Sequence, residues 1–240
     1  MTKNPQNCYN VIVPNSDTLI VSFAGHDKMF YGIPRFEFVK ILEKHFPHIS
    51  RYFYVDTNLK CYLQGIPGIT ETVEETVEYL KQVIAPYKHV VFLGTSSGGY
   101  AATLFGSLLQ VHCIVAFTPV TILKKVSRPE NEKWRDIDPY INNTTIYYIF
   151  GDESIKDPEH YHHISQCERI TKRPIKLLDT TLEPENKAEK IREKERENVK
   201  LVRMNVVDLK QMRDKGMLYR ILWTAIQIPE QITTGGVDTA

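Results

Sequence analysis

Short continuous apolar runs alternate along this chain with longer stretches in which apolar residues recur three and four positions apart. "TLIVSFAG" (Thr18 to Gly25), "ISRYFYVD" (Ile49 to Asp56), "HVVFLG" (His89 to Gly94), "CIVAFTP" (Cys113 to Pro119) and "TTIYYIFGD" (Thr144 to Asp152) are rich in β-branched and aromatic residues and predict buried strands. The helical spacing between them predicts helices over Pro34 to Phe46, Thr70 to Ile84, Gly98 to Gln110 and Asp157 to Ile170. A last helix runs over Val206 to Ile226, broken near Gly216. The end signals agree: Pro34 at a first helical position, Thr70 or Thr72 as N-cap ahead of glutamates, and Asp157 as N-cap with Pro158 after it.

Strands alternating with amphipathic helices predict an α/β fold, a three-layer α/β/α sandwich on a mainly parallel sheet. Such sheets carry their functional loops at the carboxyl ends of the strands. Here those loops read "AGHD", "VDTN", "GTSSGG", "FTPV" and "GDESIKD". Short linkers and the absence of repeats predict one domain over residues 1–228. The Glu- and Lys-dense stretch 183–200 interrupts the rhythm and reads as a solvated helix or surface insertion, and the polar tail 229–240 reads as disordered.

Composition narrows the function classes. A formal charge of +1 with no basic cluster argues against a nucleic-acid surface. Cys8, Cys61, Cys113 and Cys167 are widely separated, so neither a zinc site nor a redox motif is expected, and no cofactor is implied. The polar start "MTKNPQNCYN" predicts no signal peptide and a cytoplasmic protein; no apolar run approaches membrane-spanning length. No feature specifies an oligomeric state.

The chemistry concentrates at Gly94-Thr95-Ser96-Ser97-Gly98, a G-x-S-x-G pattern between a predicted strand and a predicted helix. A sharp strand-to-helix turn holds its central residue in strained backbone, and side chains two positions either side would collide. Gly94 and Gly98 remove that collision. Ser96 would then project its hydroxyl over the sheet edge, beside helical N–H groups suited to developing negative charge. The turn lacks the lysine of a phosphate-binding P-loop and the spacing of a dinucleotide turn.

"VVFLGTSSGGYAATLFG", with "SFAGHD", "YVDTNLKCYLQGI" and "YYIFGDESIKD", resembles the α/β-hydrolase superfamily, in particular small α/β-hydrolase-like proteins of bacterial surface-polysaccharide loci. The resemblance implies a serine hydrolase, esterase or acyltransferase, acting on a small-molecule or glycan ester. It implies an oxyanion hole from the Ser97 N–H and the "AGHD" loop, where Gly25 permits close approach and His26 offers its N–H. The acid falls at Asp152, with Asp157 as rival. Family order puts the base after the last strand, but Met204 stands there and no histidine follows His163. The base must therefore come from "HYHH": His160, His162 or His163, with His163 slightly ahead of His162. Asp56 is left to order a loop or substrate, and Trp134 to pack or line a pocket. The alternative is a hydrolase-like fold kept for binding or assembly, its triad broken by the missing late histidine.

Overall fold

The computed structural model describes residues 7–26, 29–30, 33–125, 128–178 and 189–227. Its centre is a seven-stranded sheet. The strands are β1 (Cys8–Val11), β2 (Thr18–Phe23), β5 (Ser50–Tyr54), β6 (His89–Thr95), β7 (Cys113–Phe117), β8 (Ile146–Asp152) and β11 (Val199–Met204), in the spatial order β1-β5-β2-β6-β7-β8-β11. All neighbours are parallel except β1, which lies antiparallel on β5. Met29–Phe30 (β3) and Ile33–Pro34 (β4) form a small separate pair. Lys172–Leu178 (β9) and Glu189–Glu195 (β10) form an antiparallel ribbon.

The continuous apolar strands are buried on both faces, as parallel sheets require. Leu19, Val21 and Phe23 of β2 join one core cluster while Ile20 joins the other; Phe92 and Leu93 of β6 divide in the same way. The first cluster is covered by α2 (Val73–Ile84), α3 (Ser96–Leu108) and α4 (Ile164–Glu168). The second is covered by α1 (Val39–His45), α5 (Leu209–Asp214) and α6 (Met217–Ile226), which supply Leu42, Met212 and Leu222. This is the three-layer arrangement the alternation predicts. Residues 97–107 of α3 are buried on every side, so the helix lies inside a layer rather than on its surface.

Several boundaries differ from the sequence reading. The first helix starts at Val39, not Pro34; Ile33–Pro34 is extended instead. A residue ahead of proline is pushed toward extended backbone, which suits a strand pair. Asp157 does not cap a helix: residues 158–162 form turns, and helix begins only at Ile164, with the His163 side chain accepting from the Ser165 N–H. Residue 163 is tied to Asp152 by a parallel bridge, and the His162 N–H donates to His160 Nδ1, which holds this stretch out of helix. In the charged stretch, residues 189–195 are strand, because the β9 backbone supplies their partners. Thr72, not Thr70, caps α2, and the last helix breaks at Gly216 (φ 69°) as its sequence predicts. The tail 229–240 lies outside the described residues, and no helix among those described is long and apolar enough to cross a membrane.

The chain leaves β2 for β5 on one side and later returns as β6 on the other. The strand order therefore reverses between β2 and β6, and the crevice at their carboxyl ends is where open α/β sheets bind ligands.

Candidate active site

β6 ends at Thr95 and α3 begins at Ser96 with no residue between them. Ser96 bridges the turn with φ 51°, a left-handed backbone that non-glycine residues rarely adopt. The neighbouring glycines make this possible. A Cβ on Gly94 would lie 2.2 Å from the Gly98 carbonyl oxygen, and a Cβ on Gly98 would lie 2.1 Å from the Phe23 carbonyl oxygen of β2. The Ser96 carbonyl accepts from the Val120 N–H at 3.3 Å, which ties the turn to the loop after β7.

Ser96 Oγ lies 2.7 Å from His162 Nε2. With the ring proton on Nδ1, the hydroxyl donates to Nε2, the arrangement from which imidazole can take that proton. Burial pushes the His162 pKa down to about 4; the neighbouring His160 adds to this and the Asp152 charge opposes it. The ring is therefore neutral near pH 7. The sequence slightly favours His163 as the base, but its Nδ1 faces Ser165 Oγ at 2.9 Å and Ser96 meets the His162 ring instead. Adjacent residues in non-helical chain project to opposite sides, so only one could face the serine. His160 supports the turn through the His162 N–H, and its ring and that of Tyr161 flank His162.

Asp152, the last residue of β8, is buried at 7% exposure. One oxygen accepts from the Ser154 N–H (2.8 Å) and Ser154 Oγ (2.6 Å), and the other from the Val207 N–H (2.9 Å). Burial alone would raise its pKa; these hydrogen bonds and the His162 ring outweigh burial and hold it below the ordinary carboxylate value. Its hydrogen bonds run to Ser154 and Val207 and not to the imidazole, so its influence on His162 is through charge. Val207 lies in the loop after β11, the position at which the sequence resemblance implies a histidine. Here that loop supplies a backbone N–H to Asp152, and the imidazole beside Ser96 comes from the loop after β8. Asp157 accepts from the Glu159 N–H and is exposed.

Residues 24–26 of the "AGHD" stretch follow β2, and Gly25 lies against the elbow. A Cβ on Gly25 would meet Thr95 Oγ1 at 2.8 Å and Ser96 Cβ at 3.5 Å. The Gly25 N–H donates to Glu37 Oε2 (3.1 Å), which leaves His26 as the next N–H in the loop. The Tyr62 hydroxyl donates to the Ala24 and Tyr54 carbonyls and so braces the strand end beneath it. The Ser97 side chain is buried, and its N–H belongs to the first turn of α3, where no helical acceptor exists. Asp56 orders its own loop by accepting from the N–H groups of Asn58, Lys60 and Tyr62. Trp134 is buried against Tyr140. Glu37, Ser154 and Val207 escape the sequence reading. Only Ser154 carries a local signal, the Asp-x-Ser turn "DES" after a strand.

No family model and no curated protein matches the sequence. Solved structures do. A Staphylococcus aureus protein described as of unknown function covers 92% of this chain, and 94% of its own length, at a TM-score of 0.55 and 9% identity. The capsule O-acetyltransferase of Neisseria meningitidis serogroup A, as a histidine-to-alanine mutant in complex with CoA, covers 90% of this chain and 91% of its own at a TM-score of 0.54 and 11% identity. Est1E from Butyrivibrio proteoclasticus with ferulic acid bound covers 90% and 94% at a TM-score of 0.51 and 10% identity. Identities this low speak to fold alone. With the parallel sheet, the reversal between β2 and β6, and the glycine-flanked turn at Ser96, they show that this chain has an α/β-hydrolase-like fold.

Proposed function

We propose that the protein is a serine hydrolase or acyltransferase with Ser96 as nucleophile, His162 as general base and acid, and Asp152 as the charge that steadies the imidazolium. Ser96 Oγ attacks an ester carbonyl carbon while His162 Nε2 takes its proton. The N–H groups of Ser97 and His26 receive the negative charge that develops on the carbonyl oxygen. Collapse of the tetrahedral species expels the alcohol, which takes the proton back from His162, and leaves Ser96 acylated. Water, or the hydroxyl of an acceptor, then attacks the acyl-enzyme with His162 again as base. An acyl group on a glycan is the substrate class we favour, in keeping with the resemblance to polysaccharide-locus proteins and with a capsule O-acetyltransferase among the structural neighbours. Small apolar esters are the other class the chemistry admits.

The observation that carries this reading is the 2.7 Å Ser96–His162 pair at a strained, glycine-flanked turn. A fluorophosphonate probe tests it, because such probes label serines activated by an adjacent base. We expect labelling of the wild type and none of Ser96→Ala. Folded wild-type protein that does not label would favour a hydrolase-like binding or assembly protein, a reading helped by the absence of an Asp152 hydrogen bond to the imidazole.

A further inference from the structure

Glu37 has no role in the scheme above, yet its carboxylate reaches the centre of the site. Oε2 accepts two hydrogen bonds: from the Gly25 N–H at 3.1 Å and from Thr95 Oγ1 at 2.5 Å. It thus joins the loop after β2 to the residue that precedes Ser96. The Glu37 backbone is itself fixed, since its carbonyl accepts from the buried Ser22 Oγ at 3.4 Å. The next residue, Phe38, sits at φ 64° as N-cap of α1. A bulky residue in that conformation is strained, and such strain persists only where the surroundings over-determine it. Phe38 is buried in the core against Phe117, which anchors the chain just beyond Glu37.

The Thr95 contact has a second consequence. Thr95 is the N-cap of α3, where a threonine hydroxyl ordinarily accepts from an N–H of the first helical turn. Here the hydroxyl donates to Glu37 and makes no capping bond. The first-turn N–H groups, Ser97 among them, are left without their usual cap at the place where an oxyanion would form. The same carboxylate takes up the Gly25 N–H, so the next amide free for an oxyanion in the order of the loop is that of His26.

We infer that Glu37 is a positioning residue for the oxyanion side of the site, acting on both of its walls: it clamps the Gly25–His26 loop to the elbow and keeps the Thr95 hydroxyl from capping α3. The inference rests on the reading of Ser96 as nucleophile. It assigns Glu37 no proton transfer and no substrate contact.

The test compares Glu37→Ala, Glu37→Gln and Thr95→Val by rate of fluorophosphonate labelling, by melting temperature and by the amide resonance of Gly25 in nitrogen-15-labelled protein. Displacing the loop by an ångström is expected to slow labelling of Glu37→Ala roughly 10- to 100-fold. Glutamine keeps an oxygen for both donors and should label within about threefold of wild type, the loss reflecting weaker neutral hydrogen bonds. Thr95→Val should fall between the two. The Gly25 amide resonance should move in Glu37→Ala and hold in Thr95→Val, with melting temperatures close to wild type. Glu37→Ala labelling at the wild-type rate, an unmoved Gly25 resonance in that variant, or Glu37→Gln as slow as Glu37→Ala would each overturn the inference. If Glu37→Ala does not fold, wild-type labelling by Thr95→Val does so. A wild type that does not label defeats the nucleophile reading and the positioning role with it; a labelled wild type beside an indifferent Glu37→Ala defeats the clamp alone.

Discussion

Adding one methyl group at Gly98 tests how closely the elbow is fitted to the sheet. In Gly98→Ala the new Cβ would sit 2.1 Å from the Phe23 carbonyl oxygen and 2.8 Å from the Ala24 carbonyl carbon. Ordinary contact begins near 3.4 Å, so α3 and β2 must part by about 1.3 Å, and both neighbours are backbone that cannot rotate away. Overpacking of this kind costs about 1–3 kcal/mol. At about 2–4 °C per kcal/mol for a chain this size, melting should fall by roughly 5 °C. The functional effect should be larger. The parting separates the Ser97 amide on α3 from the loop that follows β2, and a misplacement near 1 Å costs about 100-fold in rate. Gly99→Ala is the control one residue on. Its Cβ would meet Pro119 Cα and Cβ at 3.1 Å, a strain the loop after β7 can absorb, and the Gly94 carbonyl oxygen at an ordinary 3.4 Å. Thermal melts and fluorophosphonate labelling rates on the two variants decide the matter. Gly98→Ala labelling at the wild-type rate, or Gly99→Ala suffering equally, would refute the argument that the α3–β2 approach sets the oxyanion geometry.

His162→Ala should slow labelling by at least about 100-fold through loss of the base, whereas His163→Ala, whose ring serves Ser165, should stay within about threefold; equal losses would remove His162 from its role. Ser97→Ala should label at close to the wild-type rate, because the proposed mechanism uses only its backbone N–H. The base must be neutral to act, and burial together with His160 disfavours its protonated form, so the acid limb of the labelling-rate profile should fall near pH 4 instead of near 6.5. His160→Ala should move that limb up and Asp152→Asn should move it down, since Asp152 is the charge that favours protonation; a wild-type limb between pH 6 and 7 would contradict this. Arg196, almost fully buried, donates to Asp138 Oδ1 and to the Ile170 and Lys172 carbonyls at the opposite end of the sheet. Arg196→Met should cost about 3 kcal/mol by calorimetry and leave the labelling rate of the folded protein unchanged.

The sequence determined the layers and the turn. Runs such as "TLIVSF" and "CIVAF" have apolar residues at both parities, which only a strand buried on both faces can use, and the helical spacing between them supplied what covers those faces. The glycines around Ser96 were legible because their reason is local: a strand passing into a helix with nothing between leaves no room for side chains two positions away. The first helix and the "HYHH" stretch were misread because their backbone partners come from distant chain. Ile33–Pro34 pairs with Met29–Phe30, and residue 163 is bridged to β8. Periodicity records which side is apolar, and carries no information about which carbonyl will accept a given N–H. The same limit applied at the site. That a histidine of "HYHH" could meet Ser96 followed from chain order; that it is His162 followed from the direction in which a turn leaves β8, which the tertiary structure alone decided. Glu37 lies furthest from sequence reasoning. Its place between Gly25 and Thr95 comes from three segments converging at the carboxyl ends of β2 and β6, and no local pattern in "PRFEFVK" marks that convergence.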